Sequence, residues 1–363
     1  MKVIVLAHDR DNHTAPIRWA LQQAGRQVEC WPGLASTPEQ QASISFGDEI
    51  RLSLGPVSVN AGDVVWVRRP QAAKHNPNVS PADKSFAEGE YRWFSLSLLY
   101  MLETLPIRVV NPYSSSRFIN NKAVQLVLAR NCGMDVPHTL MTNSPKAVKD
   151  FVHDGHRTIC KSFFPHIWTR EGSKNLAVTE TFEITAAMLP GNDEVLTYAP
   201  AIYQEMVVKT FDVRTVLLGT NVYSYALRNP NGSLDWRQDA GQGIVQVEPI
   251  ETPAAVERGL VDFAKQSGIS YGSFDFAIDD QNKWWYLEVN EGGQFLWLDQ
   301  FYADAHLQEK FLAFLVSPEG ATKAQLEAMQ DEFPSWKNYV DEPSSKLYRE
   351  HVEEGATFVS VEP

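Results

Sequence analysis

YGSFDFAIDDQNKWWYLEVNEGGQFLWL, which spans residues 271–298, contains two runs rich in apolar residues on either side of a polar cluster. The runs are 272–278 and 284–289, and the cluster between them is 279–282, DDQN. Two strand-like runs joined by a short polar segment are typical of a β-hairpin. We therefore expect an antiparallel pair of strands here.

The expected hairpin also has an expected register. If the four polar residues form the loop, Ile278 faces Lys283 and Asp275 faces Tyr286 across the two strands. Because side chains alternate between the two faces of a strand, one face is then polar and the other belongs to the core. The polar face contains Asp275, Tyr286, Glu288 and Asn290, and the core face contains Phe274, Phe276, Leu287 and Val289.

The polar face carries oxygen donors that suit a metal ion. The carboxylates of Asp275 and Glu288 and the amide oxygen of Asn290 converge on one point in this arrangement. Mg²⁺ prefers such ligands, and it usually keeps several waters and bridges to a substrate's phosphates. The alternative is a solvated face with three unrelated polar residues, since acidic residues are common near turns. Residues upstream favour the metal site.

Length and composition are those of an ordinary globular protein. The 363 residues suffice for two or three domains, with 44% hydrophobic and 21% charged residues. A net charge of −13 argues against nucleic acid or an anionic membrane as a partner, and it leaves room for a local basic pocket. Three cysteines far apart in the sequence favour a reducing compartment. The start of the chain lacks signal-peptide features, and no apolar run approaches a membrane span, so we expect a cytoplasmic protein.

The N-terminal segment has the pattern of an α/β domain. An apolar run at residues 3–7 is followed by a polar loop at 8–14 and then by a helical pattern. The two histidines of this loop either touch a substrate or lie at the surface without a partner. A further buried strand at 63–67 ends in Arg68 and Arg69. Paired arginines at a strand end can bind a carboxylate bidentately, and they can equally form a salt-bridged rim.

Two lysines are distinctive in the central segment. Lys122 lies in a predicted helix at 114–130, and Lys161 lies in a predicted strand at 158–162 among small or apolar residues. A lysine inside such a strand implies a nearby anion. The polar loop at 169–175 could close over phosphates through its backbone N–H groups, although an ordinary turn is the commoner explanation of its single glycine.

The third segment predicts an antiparallel sheet. Its strand-like runs lie at 202–208, 213–218 and 222–227, and an amphipathic helix at 252–267 precedes the hairpin.

The order of these residues along the chain resembles that of the ATP-grasp carboxylate ligases. More narrowly, the chain is similar to the graspetide (microviridin-type) peptide ligases, relatives of the ribosomal-protein glutamate ligases. Each motif alone is weak, and the shared order over residues 1–300 is the stronger signal. The motifs are AHDRDNHTAPIRWAL (7–21), VVWVRRP (64–70), NPYSSSRFINNKAVQL (111–126), VPHTLMTNSP (136–145), DWRQ (235–238) and LEVNEGGQFLWL (287–298).

The resemblance implies a site for ATP and Mg²⁺. Lys122 and Lys161 match the lysines that contact the nucleotide's phosphates in this family. The residues matching the adenine and ribose positions are Gln204, Glu205, Met206, Val207 and Asp212. Those matching the metal ligands, usually for two Mg²⁺ ions with Glu288 as the bridge, are Asp275, Glu288 and Asn290. Those expected near the transferred phosphoryl group or the substrate are Arg214, Arg237 and Arg228.

The resemblance also implies a domain organisation. We expect an ATP-grasp fold with an N-terminal α/β pre-grasp domain at 1–112, a central lid domain at 113–200 and a C-terminal antiparallel-sheet domain at 201–316. The extension at 317–363 matches nothing in the family, so it is either a packed element or a partly ordered arm.

The implied reaction joins a carboxylate to an amine or hydroxyl at the expense of ATP. The first expectation for the substrate is a ribosomally made peptide. A ligase of free amino acids or another small carboxylate is the alternative, and Arg228 resembles that group more closely. A non-catalytic nucleotide-binding protein is a third reading. A further departure from the family is Glu291 followed by Gly292 and Gly293, where a proline is frequent. Relatives are often homodimers.

Overall fold

The computed structural model describes residues 1–8, 11–153, 155–164, 167–169, 176–178, 181–234, 236, 239 and 243–353. Strands β1 to β7 are Val3–Ala7, Val28–Trp31, Ala42–Phe46, Ile50–Leu54, Val57–Val59, Val64–Arg69 and Arg108–Val110, and helices α1 and α2 are Thr14–Gln23 and Lys84–Leu102. The order β2-β1-β6-β7 forms a parallel sheet, which we call the N-terminal sheet. Strands β3, β4 and β5 form a separate antiparallel unit. The parallel sheet confirms the α/β class expected here.

A second, antiparallel sheet lies in the middle of the chain. Strands β8 to β13 are Thr139–Thr142, Thr158–Lys161, Ile167–Thr169, Leu176–Val178, Phe182–Ile184 and Ala201–Glu205, and helices α3 to α5 are Tyr113–Ile119, Lys122–Asn131 and Pro145–Val152. The order β12-β9-β13-β8 forms the sheet, which we call the central sheet, and β10 pairs with β11.

The single helix expected at 114–130 is wrong, because the chain forms α3 and α4 there instead. The break falls at Asn121, whose side chain accepts hydrogen bonds from two backbone N–H groups in the first turn of α4. An asparagine at this position satisfies donors that a helix start leaves free. Lys122 is therefore the first residue of α4 and not an interior helix residue.

The C-terminal sheet is antiparallel throughout. Strands β14 to β18 are Lys209–Leu218, Asn221–Arg228, Gln246–Ile250, Tyr271–Asp279 and Trp284–Asn290, in the order β16-β15-β14-β17-β18, and α6 is Ala254–Ser267. Phe263 of α6 packs with Phe274 and Tyr286 on one face of this sheet. The antiparallel sheet confirms the class expected for this segment.

The hairpin of β17 and β18 forms as expected, but its register differs. Ile278 pairs with Trp284, because the loop has three residues and Asn282 takes a left-handed conformation with φ 58°. The pairing shifts again between Asp275 and Phe276, where β18 has one extra residue. Asp275 therefore faces Glu288 and not Tyr286.

The shorter loop and the bulge together exchange two side chains between the faces. The expected position of Tyr286 on the polar face is wrong, because it packs in the aromatic core with Phe274 and Phe276. Leu287, expected in the core, borders the pocket beside Lys161. A one-residue change of register reverses the face of a strand's side chains. The shorter loop shifts the pairing by one residue, and the bulge shifts it by one more. The carboxylates of Asp275 and Glu288 therefore lie opposite each other.

The remaining helices cover the N-terminal sheet and the second face of the C-terminal sheet. Helices α7 to α11 are Trp297–Phe301, Leu307–Val316, Lys323–Met329, Trp336–Asp341 and Lys346–Glu353. Leu326 and Phe333 are buried in one core with Val5 of β1 and Val216 of β14. Of the two readings of the extension, the structure supports the packed element over residues 317–349. None of the helices in the described ranges is long and apolar enough to cross a membrane.

Candidate functional site

A buried ion pair lies at the centre of the C-terminal sheet. Asp275 on β17 pairs across strands with Arg214 on β14. Arg214 Nη1 donates to Asp275 Oδ1 at 2.6 Å and to Oδ2 at 2.8 Å, and the arginine is only 6% exposed. A guanidinium in this geometry offsets the charge of a carboxylate that would otherwise be costly to bury.

A second charged group continues from this pair toward the central sheet. Glu288, opposite Asp275, accepts from Lys122 Nζ at 2.7 Å. Lys161, at the end of β9, interacts with both charges: burial lowers its pKa to about 8, while Glu288 acts to raise that pKa and Lys122 to lower it. The structure thus brings two predicted phosphate-binding lysines and one predicted metal ligand together. A small pocket at this boundary is lined by Lys122, Gln125, Leu126, Met141, Lys161, Ile202, Gln204 and Leu287.

The oxygen atoms of these side chains suit Mg²⁺, although the protein alone would not supply all of its ligands. Within the described ranges, no three His, Cys, Asp or Glu side chains are grouped closely enough to hold a metal ion. Asp275 and Glu288 face each other, and Asn290 follows two residues later on the same strand. A metal here would need the amide oxygen of Asn290, water or substrate oxygens besides the two carboxylates. Mg²⁺ commonly accepts that combination.

The residues expected around adenine and ribose line the junction between the central and C-terminal sheets. Gln204 is buried and donates from Nε2 to Thr139 Oγ1 at 2.8 Å. Glu205 is exposed, whereas Met206 and Val207 are partly buried in the connection that leads to β14. Asp212 is buried and accepts from Lys209 Nζ at 2.7 Å.

Of the other predicted residues, Arg228 is described and lies apart from this group. Arg237 and the polar loop at 170–175 lie outside the described residues. Arg228 ends β15, where its Nε donates to Glu248 Oε1 at 2.6 Å and its guanidinium lies 4.4 Å from the centre of the Phe211 ring. Its guanidinium is therefore engaged by neighbours at the rim of the sheet.

Gln125 positions the strand that carries the predicted metal ligands. Its Oε1 accepts from Val289 N at 3.0 Å, and its Nε2 donates to Val289 O at 3.0 Å. Val289 lies between Glu288 and Asn290, so one buried amide fixes the backbone of both. The sequence analysis missed this residue. The available signal was a polar side chain one helical turn before Ala129, on the face of α4 that becomes buried.

Asn111 connects the N-terminal sheet to the same hairpin. Its Oδ1 accepts from Tyr271 N at 3.0 Å, and its Nδ2 donates to Tyr271 O at 2.7 Å and to Glu291 O at 2.9 Å. A fully bonded buried amide is costly to replace, since each lost partner leaves a polar group unsatisfied. Asn111 was also missed, although it begins one of the motifs quoted above.

The turn after Asn290 is held by the N-terminal sheet. Arg68 Nη1 donates to Gly292 O at 2.6 Å, and the Tyr271 hydroxyl donates to the same oxygen and to Gly293 O. Gly293 has φ 46°, and a Cβ there would lie 2.4 Å from the Tyr271 ring. The two glycines therefore allow the arginine and the tyrosine to approach the backbone closely.

His13 supports the segment that follows this turn. Its Nε2 accepts from the backbone N–H groups of Phe295 at 2.9 Å and Leu296 at 3.2 Å, so the imidazole is neutral at that nitrogen. Burial lowers its pKa well below the usual value, and Arg68, Arg69 and Arg214 lower it further. The reading of His13 as a surface residue without a partner is wrong, because His13 is a buried acceptor for backbone groups.

Comparisons with known proteins place this geometry in a known fold. No protein-family model matches the chain, and no curated protein matches its sequence. Solved structures do match. A RiPP-associated ATP-grasp ligase from Chryseobacterium gregarium, in complex with ADP and a leader and core peptide, is 21% identical with a TM-score of 0.71, over 92% of this chain and 98% of that chain.

Two further structures are similar. The macrocyclase MdnC from Microcystis aeruginosa MRC, bound with the precursor peptide MdnA, is 22% identical with a TM-score of 0.70, over 87% of this chain and 99% of that chain. The ATP-grasp ligase PsnB, complexed with minimal precursor, Mg and ADP, is 21% identical with a TM-score of 0.63, over 87% of this chain and 98% of that chain. The chain therefore has the ATP-grasp fold, which confirms the fold expected from the resemblance.

Proposed function

We propose that this protein is an ATP-dependent ligase that activates a carboxylate, on a ribosomally made peptide, and joins it to an amine or hydroxyl. The observation that carries the proposal is the continuous group Arg214, Asp275, Glu288, Lys122 and Lys161 at the junction of the central and C-terminal sheets. The similar solved structures support the peptide substrate, because their ligases are complexed with leader, core or precursor peptides.

The charged residues divide between phosphate and metal. Lys122 and Lys161 would offset the charge of the nucleotide's phosphates, as a buried ammonium does for an anion. Asp275, Glu288 and Asn290 would hold Mg²⁺, which when bound neutralises phosphate charge and orients the phosphoryl group. We propose that two ions would be held here, with Glu288 as a ligand that both could use. The adenine and ribose would contact the set named above: Gln204, Glu205, Met206, Val207 and Asp212.

The proposed reaction has two steps. A substrate carboxylate oxygen attacks the γ-phosphorus of ATP. The bond between that phosphorus and the oxygen that links it to the β-phosphate breaks, ADP departs, and the substrate becomes an acyl phosphate. An amine or hydroxyl then attacks the acyl carbon, loses its proton, and displaces inorganic phosphate. Arg214 and Arg237, with Arg228 at the rim, would position these groups and offset their charge. Positioning and charge stabilisation suffice for such chemistry, which needs no covalent enzyme nucleophile.

The proposal extends to partners and location. A peptide or small carboxylate is the partner, neither nucleic acid nor membrane is required, and the enzyme works in the cytoplasm as a homodimer. The acidic net charge of −13 supports the exclusion of nucleic acid. The homodimer follows from the family resemblance alone.

The test compares two classes of substrate. Phosphate release is measured with any short acidic peptide that a neighbouring gene encodes and, in parallel, with a panel of free amino acids. We expect turnover with the peptide and the loss of one water mass per bond formed in mass spectrometry. Removing the leader segment should lower turnover as well as affinity, because remote binding energy supports the reacting geometry. Turnover with a free amino acid and none with the peptide would replace the first proposal with the small-carboxylate ligase.

A further inference from the structure

Arg69 differs from its neighbour Arg68 in what surrounds it. Both residues end β6, yet Arg68 is buried while Arg69 is exposed. With the amide of Gln294 oriented so that its oxygen faces donors, that oxygen accepts from Nη1 and Nη2 of Arg69 at 3.2 Å each. The backbone oxygen of the same Gln294 accepts from Arg214 Nη2 at 2.7 Å. One residue therefore connects Arg69 to the arginine that pairs with Asp275.

The backbone at Gly292 lies close to both Arg69 and a predicted metal ligand. A Cβ at this glycine would stand 3.8 Å from Asn290 Oδ1 and 3.9 Å from Arg69 Nε, and 2.7 Å from Arg68 Nη1. The amide oxygen of Asn290 and Nε of Arg69 therefore lie close to the same point of the backbone. Any residue other than glycine at this position would clash with Arg68 Nη1.

Burial and Arg68 lower the pKa of Arg69, and the carboxylates of Asp11 and Glu291 act to raise it, but neither carboxylate forms an ion pair with Arg69 among the described residues. Arg68 is engaged by Gly292 O at 2.6 Å and by Asp11, 3.5 Å from its Nε, and Arg214 is engaged by Asp275. Among the described residues, the ion pairs of this cluster include Arg68 and Arg214 and do not include Arg69. Its partner is a neutral amide, which a carboxylate would displace with stronger, charge-assisted bonds.

We propose that Arg69 binds the reacting carboxylate of the substrate and presents it beside Asn290. The exposed guanidinium receives the two carboxylate oxygens bidentately, in place of the Gln294 amide oxygen. This assignment rests on the proposed ligase function and gives Arg69 the anchoring role that the sequence suggested for Arg228. Arg228 already has a carboxylate partner in Glu248 at 2.6 Å.

The test uses Arg69→Gln, Arg69→Lys and the control Arg51→Gln. Arg51 is an exposed arginine of the same domain, in β4, 3.8 Å from Glu49. Whichever carboxylate substrate gives phosphate release with the wild type, peptide or free amino acid, is used for all variants. We expect Arg69→Gln to lower kcat/KM for that substrate by about a hundredfold and Arg69→Lys by about tenfold, because lysine keeps the charge and loses the bidentate geometry. Arg51→Gln should match the wild type.

A binding measurement separates this inference from the ligase proposal. The Kd of ADP is measured by calorimetry, and that of a fluorescent acidic precursor peptide, in the presence of ADP, by anisotropy. Arg69→Gln should raise the peptide Kd about tenfold or more and leave the ADP Kd unchanged. The same peptide with its glutamates replaced by glutamine should bind wild type and Arg69→Gln equally. An Arg69→Gln protein with wild-type kcat/KM and peptide Kd, or with equal losses for peptide and ADP, overturns the inference. A wild type without ligase turnover overturns the proposed function and leaves the binding comparison to decide on Arg69.

Discussion

The C-terminal sheet meets its two neighbours in different ways. Toward the N-terminal sheet it shares one apolar core, in which Trp19 packs edge-on against Tyr339 of the extension and donates to Ser344. Toward the central sheet it presents charges, with Lys122 and Glu288 2.7 Å apart at the boundary. The central sheet has a small core of its own, formed by Val148, Phe151, Val152, Ile184 and Tyr203.

This difference explains where a nucleotide site can form. A close-packed apolar interface resists displacement, because separating it exposes buried surface to water. A boundary lined with lysines and carboxylates lacks that constraint, so the charges can rearrange when an anion or a metal arrives. Regions with small cores also open locally at lower free energy. We therefore expect the body, made of the N-terminal and C-terminal sheets with the extension, to unfold as one unit and the central sheet to respond to ligand.

The largest effect is expected at the charged boundary. Glu288→Ala removes a predicted metal ligand that also pairs with Lys122, so ATP turnover should fall by about a thousandfold or more, while the circular dichroism spectrum stays that of the wild type. Phosphate release measures the turnover. Glu332→Ala is the matched control, because Glu332 is a half-exposed glutamate paired with Arg26 in the body. Wild-type turnover in a folded Glu288→Ala protein would show that ATP is not turned over at this boundary.

A smaller effect should separate the two cores. Phe333→Ala empties a buried position in the shared core and should reduce the free energy of unfolding of the body by about 3–5 kcal/mol. Phe151→Ala makes the same change in the small core and should weaken ADP binding while leaving the main thermal transition near its wild-type temperature. Scanning calorimetry with and without ADP measures both. If Phe151→Ala lowers the main transition as much as Phe333→Ala does, the chain unfolds as a single unit and the comparison fails.

Residue order and strand alternation predicted a good part of this site. Lys122, Lys161, Asp275 and Glu288 come together because they lie near the ends or on one face of elements whose patterns are readable in the sequence. The exchange of Tyr286 and Leu287 between faces was not predictable, since a bulge depends on tertiary packing that periodicity does not encode.

The remaining differences arise from contacts between segments distant in sequence. Arg228, which the resemblance places near the substrate, pairs with Glu248, twenty residues later. Gln125 and Asn111 act on backbone groups about 160 residues away. The extension could not be assigned, because its buried residues find their partners in α1 and β1, at the other end of the chain. Local patterns identify elements, whereas such partners require the folded structure.

The smallest expected effect concerns Lys161, and it tests whether the boundary is built for an anion. Burial lowers the pKa of this lysine from its ordinary value of 10.5 to about 8. Below pH 8, Lys161 is therefore charged in the folded protein. That charge costs more free energy in the buried site than it does in the unfolded chain, where it is exposed to water. Lys161→Met removes this cost, so at pH 7 the ligand-free variant should be more stable than wild type, by on the order of 3 kcal/mol. The same variant should bind ATP more weakly and adenosine equally well, because only the phosphates meet the ammonium.

The pH dependence of this difference has a definite sign. Between pH 8 and 10.5 the unfolded state binds more protons at Lys161 than the folded state does, so wild-type stability rises with pH through that window relative to Lys161→Met. Chemical denaturation of both proteins at pH 7, 8, 9 and 10 gives the difference in free energy of unfolding, which should be largest at pH 7 and should shrink as pH rises. Lys149→Met is the control, since Lys149 is an exposed lysine of the same segment paired with Asp193. A constant difference across this range, or equal losses of ATP and adenosine binding, would mean that Lys161 contributes to packing alone and that the charged boundary is not arranged around a phosphate.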